Sequence, residues 1–207
     1  MDNRFIWIED QSLTLDFCES VIEKYELESF KSIATTVGGY SNVLQATEVN
    51  ITNLDSWKEE DDHLFHKLNK ALDKYRQHLK DNLMIDFTAD MLIDSGYKIK
   101  RYSGDEGDHF DWHQDYCTDD NYGRGASRYL SYIWYLNSVD GGETEFINGL
   151  QIQPEVGKLI IFPATWTYIH RGKTPPPNTT KYICSGFLYA QSNPYINDIQ
   201  KQNSGEG

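Results

Sequence analysis

Tyr97-Lys98-Ile99-Lys100-Arg101-Tyr102 is where the chain changes its period. Before it, apolar residues recur at helical intervals. Here Tyr97, Ile99 and Arg101 alternate with Lys98, Lys100 and Tyr102, the two-residue period of a strand with unlike faces. Residues 129–136 are aromatic and β-branched enough for a buried strand. Gly141-Gly142 turns the chain, Thr144 and Phe146 follow, and Gly149 turns it again. Lys158-Leu159-Ile160-Ile161-Phe162 reads as another buried strand stopped by Pro163. Residues 166–170 read as a short strand and 181–189 as the last, with the stiff, donor-poor loop Pro175-Pro176-Pro177 between them. Several short strands separated by Gly and Pro turns predict a sandwich or barrel.

Upstream, Leu15, Cys18, Val21, Ile22 and Tyr25 have helical spacing over 13–28, with Thr14 or Asp16 as N-cap. Gly38-Gly39 marks a break. Leu64, Phe65, Leu68, Ala71, Leu72, Tyr75 and Leu79 repeat the helical pattern over 61–80, and Asp61 and Asp62 sit where the helix dipole favours negative charge. His63, His66 and His78 read as a polar face of that helix, since no carboxylate or cysteine pattern accompanies them. The expected fold is therefore α+β and mainly β. Two N-terminal helices lie against an antiparallel double-sheet jelly roll whose mouth can hold a metal. One domain is expected over 1–207, with 1–90 as helical support and 91–190 as the core.

Composition narrows the function. The net charge of −13 argues against a nucleic-acid or anionic-membrane partner, because phosphate binding needs a basic surface. Cys18, Cys117 and Cys184 are scattered and form no CxxC, which suggests neither a disulfide framework nor a zinc knuckle. Met1-Asp2-Asn3-Arg4 leads into no apolar signal core, and a cytoplasmic location is expected. The sequons at Asn50 and Asn178 then carry no meaning.

His113-Gln114-Asp115 carries the chemistry. A histidine and a carboxylate two residues apart on extended chain point to the same side. With one more histidine from a later strand, and His170 is available, they make the facial set of two His and one carboxylate that suits non-haem Fe(II) and leaves positions open. A rival tripeptide, His109-Phe110-Asp111, lies just upstream.

Several motifs occur in order: Tyr102-Ser103-Gly104 through Asp115; Trp134-Tyr135-Leu136-Asn137; residues 141–146; residues 154–163; His170-Arg171-Gly172; and Lys181-Tyr182. Together, over about 96–190, they resemble the prolyl 4-hydroxylase branch of the Fe(II)- and 2-oxoglutarate-dependent dioxygenases. The resemblance implies a distorted double-stranded β-helix with His113, Asp115 and His170 as iron ligands. It also favours His113 over His109, since Tyr102, Gly104 and Phe110 stand where the family places a tyrosine, a glycine and an aromatic before the ligand. It implies Lys181 as the cation for the far carboxylate of 2-oxoglutarate, although Lys181 falls one residue later than the family spacing. Lys173 and Arg171 are rivals. Tyr135 corresponds to a family tyrosine whose hydroxyl reaches the same carboxylate. Tyr102 corresponds to another pocket tyrosine, and Thr144 to the pocket wall. Gly141 and Gly142 are assigned to a turn only.

The implied reaction couples decarboxylation of 2-oxoglutarate to succinate and CO2 with hydroxylation of an unactivated C–H by molecular oxygen. Fe(II) and 2-oxoglutarate are the implied cofactors, and ascorbate is a further one the resemblance allows. The substrate it implies is a prolyl residue in a peptide or protein. Trp112 and Trp166, at the mouth, and the stretch Tyr122-Gly123-Arg124-Gly125 are candidates for substrate contacts, and each reads equally well as core or solvated loop. The alternatives are a dioxygenase acting on a free amino acid or other small molecule, a nucleic-acid demethylase, a non-catalytic jelly-roll binding module and a cupin with another metal. The acidic balance opposes the demethylase. The complete donor set opposes the binding module.

Overall fold

The computed structural model describes residues 1–36, 39, 42–85, 92–119, 121 and 126–190. Gly38, residues 122–125 with Arg124, and the C-terminal run lie outside them.

Two helices are present, α1 (Leu15–Leu27) and α2 (Lys58–Leu83). Thr14 caps α1, its hydroxyl accepting the Phe17 N–H at 3.4 Å. The expected span of the second helix is extended at both ends. Glu59 and Glu60 carry no apolar period but suit a first turn electrostatically, and Met84 closes the far end in the left-handed conformation at φ 54. Leu64, Leu68, Ala71, Leu72, Tyr75 and Leu79 are buried as the spacing predicts. Phe65 and Leu15, which the same reading placed inward, are 45% and 54% exposed. Phe65 directly follows the buried Leu64, so its side chain is carried about 100° off the buried stripe.

Among the described residues thirteen strands form two sheets. The larger contains, in order, β1 (Trp7–Glu9), β11 (Leu159–Pro163), β8 (Ser127–Tyr135), β13 (Thr180–Ala190), β6 (Lys98–Ser103), β4 (Thr47–Asn50) and β2 (Ser32–Ile33). β5 (Leu92–Asp94) pairs with β13. The smaller has the order β10 (Gln151–Ile152), β9 (Thr144–Phe146), β12 (His170–Gly172), β7 (His109–His113) and β3 (Leu44–Gln45). β1 to β4 come from the region read as helical support. They are two to four residues long, too short to show a period in sequence.

The central strands of the large sheet are buried on both faces. Leu130, Tyr132 and Trp134 of β8, Leu159 and Ile161 of β11, and Tyr97 and Ile99 at β6 pack with the helices in one core. The alternate residues Tyr135, Ile160, Phe162, Tyr102 and Ile183 pack with Phe146 and Ile152 of the small sheet in a second core. This is the two-layer arrangement of a jelly roll. Residues 166–170 do not form the expected strand. The Tyr168 N–H donates to the Thr165 carbonyl at 2.9 Å, closing a turn, and β12 begins only at His170. No helix among the described residues is long and apolar enough to cross a membrane.

Candidate active site

β7 and β12 lie side by side with His113 opposite His170. Between that pair and the next, Phe110 opposite Gly172, β7 uses three steps where β12 uses two, which is a β-bulge. The extra residue puts Phe110 and His113 on the same side, and their rings stack at 3.4 Å with an interplanar angle of 10°. It also separates the two HxD tripeptides. His109 and Asp111 line a shallow outer pocket with Arg171 and Lys173, and the His109 Nδ1 lies 2.8 Å from the Gly107 carbonyl.

Among the described residues one group of metal-ligating side chains converges: His113, Asp115 and His170, with ligand atoms all within 4.8 Å of one another. The two Nε2 atoms stand 3.5 and 3.6 Å from the Asp115 oxygens. The Nδ1 of His113 is 2.7 Å from the Asp111 carbonyl and that of His170 is 3.0 Å from the Tyr168 carbonyl. A carbonyl can only accept, so each Nδ1 carries a proton and Nε2 is the ring atom turned to the cluster. Burial, with His170 beside it, pushes the His113 imidazole down to about 4, so it is neutral at pH 7. Burial alone would raise Asp115. His170, His113 and the Ser131 hydroxyl, which donates to Oδ2 at 2.6 Å, outweigh it and hold the carboxylate ionised. Phe146 and Phe162 pack on His170. Two imidazoles and one carboxylate fit a non-haem Fe(II) ion with open positions.

From this cluster a cavity, partly open to solvent, runs inward. Its wall holds Lys181, which is 2% exposed. The ammonium donates to the carbonyls of Gly142 at 2.7 Å and Lys173 at 3.2 Å and lies 4.7 Å from the Tyr102 ring centroid. Burial pushes its pKa down to about 7, against a smaller upward pull from Glu143. Tyr135 and Tyr102 line the same cavity. The Tyr135 hydroxyl donates to Thr144 Oγ1 at 2.6 Å, and burial raises both phenols, which stay protonated. The rivals are engaged elsewhere. Arg171 grips Glu145 at 2.6 Å and lies 4.6 Å from the Trp112 ring, while Lys173 pairs with Glu143 at 3.4 Å. Trp112 and Trp166 line neither this cavity nor the wider one beyond it. Trp112 is held outward by Arg171, and Trp166 is 72% exposed on its turn.

Two contacts were not anticipated from sequence. Ser131 is a small polar residue at a buried position in the middle of a strand, and that is the one signal the sequence carries for it. The Gly142 carbonyl was read only as part of a turn. Gly142 has φ +67, and a Cβ there would press on Pro175. The glycine therefore lets the turn close on the proline loop and aim its carbonyl at Lys181.

Residues 97–189 match the family model of the 2OG-Fe(II) oxygenase superfamily. No curated protein matches the chain. Among solved structures, a viral collagen prolyl hydroxylase from Paramecium Bursaria Chlorella virus-1, in a 2OG complex, is 18% identical with TM-score 0.63, covering 90% of this chain and 96% of its own. A prolyl hydroxylase from Trichoplax adhaerens, in complex with a hypoxia inducible factor peptide fragment, is 15% identical with TM-score 0.67, covering 90% and 84%. A Pseudomonas putida prolyl-4-hydroxylase is 15% identical with TM-score 0.59, covering 91% and 94%. These likenesses establish the jelly-roll fold. The family match implies Fe(II) and 2-oxoglutarate as the cofactors.

Proposed function

We propose, from the premise that residues 97–189 belong to the 2OG-Fe(II) oxygenase superfamily, that this chain hydroxylates prolyl residues of a peptide or protein and releases succinate and CO2. His113, Asp115 and His170 hold the iron. Lys181 takes the far carboxylate of 2-oxoglutarate, with the Tyr135 hydroxyl donating to it and Tyr102 walling the pocket. The whole of 1–207 acts as one catalytic unit, since β1 and β4 complete the large sheet.

One observation carries the reading. A three-residue donor cluster and a buried ammonium line a single cavity. A keto acid that chelates a metal at one end and is anchored by a carboxylate at the other needs such a cavity. The iron supplies oxygen activation when bound. The protein does the rest. Ser131 and the two carbonyls orient the ligands, and the aromatic rings of Phe110, Phe146 and Phe162 keep the imidazoles from turning and exclude water. The ammonium of Lys181 meets the incoming carboxylate without leaving either charge unpaired. The prolyl substrate is supported by the fold shared with three prolyl hydroxylases, one of them bound to a peptide.

The test is a set of proline-containing peptides, each paired with a version in which alanine replaces the proline. The expected result is a one-oxygen mass gain on the proline residue, matched mole for mole by succinate. Oxygenation of the alanine versions, or of residues other than proline, contradicts the substrate assignment.

A further inference from the structure

Lys100 leaves β6 on the cavity side, between Lys98 and Tyr102. It lines the inner cavity with His113, Asp115 and Ser131, and it also lines a wider outer cavity that opens beyond the cluster, whereas Lys181 lines only the inner one. The other described cations of the outer cavity are engaged. Lys98 donates to Glu48 at 2.8 Å. Arg128 donates to the Tyr189 hydroxyl at 3.0 Å and the Asp115 carbonyl at 3.2 Å, and lies 3.6 Å over the Phe187 ring.

Glu48 is the cross-strand neighbour of Lys100, yet its Oε1 faces Lys98 and its buried Oε2 has no partner. Among the described residues the Lys100 ammonium makes no hydrogen bond and no ion pair. Asp115, which lines the same cavity, is committed to the two histidines and Ser131. Lys100 is half-buried and without an acceptor, and burial pushes its pKa down, so an anion beside it would supply the partner that holds its charge. In a chain of net charge −13 such a positive point is local rather than part of a general field.

We propose that Lys100 determines specificity by receiving a carboxylate carried by the reacting residue of the substrate or by its immediate neighbour. This rests on the reading of His113, Asp115 and His170 as the metal centre. The carboxylate has two sources, the α-carboxylate of a free or C-terminal proline and the side chain of an acidic residue beside an internal one.

The experiment uses the full chain with Fe(II) and 2-oxoglutarate under anaerobic conditions. Substrate binding is read as a perturbation of the visible metal-to-ligand band. The probes are L-proline and L-prolinamide, Ala-Ala-Pro and its C-terminal amide, and a blocked Ala-Glu-Pro-Ala with its Gln counterpart. In the wild type, at least one acid probe binds about tenfold more tightly than its neutral partner, as loss of a charge-assisted hydrogen bond requires. The pair that shows the difference identifies the source. Lys100→Met removes the difference while keeping the co-substrate band, and Lys100→Arg retains part of it. Lys100→Gln replaces the Met variant if circular dichroism shows that the latter misfolds. Equal binding of acid and neutral probes in the wild type, binding of none, or a preference that survives in Lys100→Met overturns the proposal. Weaker 2-oxoglutarate binding in Lys100→Met with the preference intact would assign Lys100 to the co-substrate instead. A wild type that forms no band would overturn the metal-centre reading itself.

Discussion

Ser131 and Lys181 show how single residues set the chemistry of this cavity. The Ser131 hydroxyl donates to the same Asp115 oxygen that faces His170. Partners of metal ligands commonly contribute ten- to hundredfold to metal affinity. Ser131→Ala is therefore expected to weaken Fe(II) or Mn(II) binding roughly tenfold with little change in fold, measured by metal titration. Unchanged affinity would show that Asp115 is held by packing alone. If Lys181 anchors the co-substrate as proposed, its pKa, pushed down to about 7, makes that binding depend on pH. In the free protein the ammonium loses its proton as pH rises through 7. When paired with a carboxylate it keeps that proton to higher pH. The 2-oxoglutarate affinity is thus greatest below pH 7 and falls above it, by roughly tenfold per pH unit. Titrations at pH 6.5 and 8.5 check this, and Lys181→Arg, charged throughout, should remove the slope. That His113, Asp115, His170 and Lys181 come together in one cavity was readable because several motifs stood in register. Ser131 and the Gly142 carbonyl were not, since a strand serine and a turn glycine look alike whether or not they serve a site.

At the scale of elements, period decides what can be read. Tyr97 and Ile99 alternate with Lys98 and Lys100, and both sets reach the sides that the alternation predicts, one toward the helices and one toward the cavity. The helical spacing of Leu64, Leu68, Ala71, Leu72, Tyr75 and Leu79 likewise marks the buried face of α2. Leu68→Ala should cost about 2–5 kcal/mol in denaturant unfolding, because it leaves a cavity against the large sheet. Phe65→Ala should cost within about 0.5 kcal/mol, as a change at an exposed position. Comparable losses would mean that the assigned face is wrong. Elements without a period were not legible. β1 to β4 are too short, and the turn at Thr165–Tyr168 depends on one backbone hydrogen bond. The bulge in β7, which aims His113 inward and leaves His109 outside, follows from pairing with a strand about 60 residues away.

Across the whole molecule, the strand order β1-β11-β8-β13-β6-β4-β2 brings together segments from both halves of the chain. The helices cover one face of that sheet, and the small sheet encloses the cavity on the other. Two layers and a mouth were predictable from the run of short strands. The order of strands was not, because it is set by pairings far apart in sequence. The central claim is that this enclosure holds Fe(II) at His113, Asp115 and His170 with 2-oxoglutarate reaching back to Lys181. The most direct measurement is anaerobic addition of Fe(II) and 2-oxoglutarate, watching for the visible metal-to-ligand charge-transfer band of the chelate. The band should form in the wild type and in His109→Ala. It should vanish in His113→Ala and His170→Ala, and require much more 2-oxoglutarate in Lys181→Ala than in Lys173→Ala. A wild type with confirmed iron occupancy but no band, or a band lost in His109→Ala and kept in His113→Ala, would contradict the account.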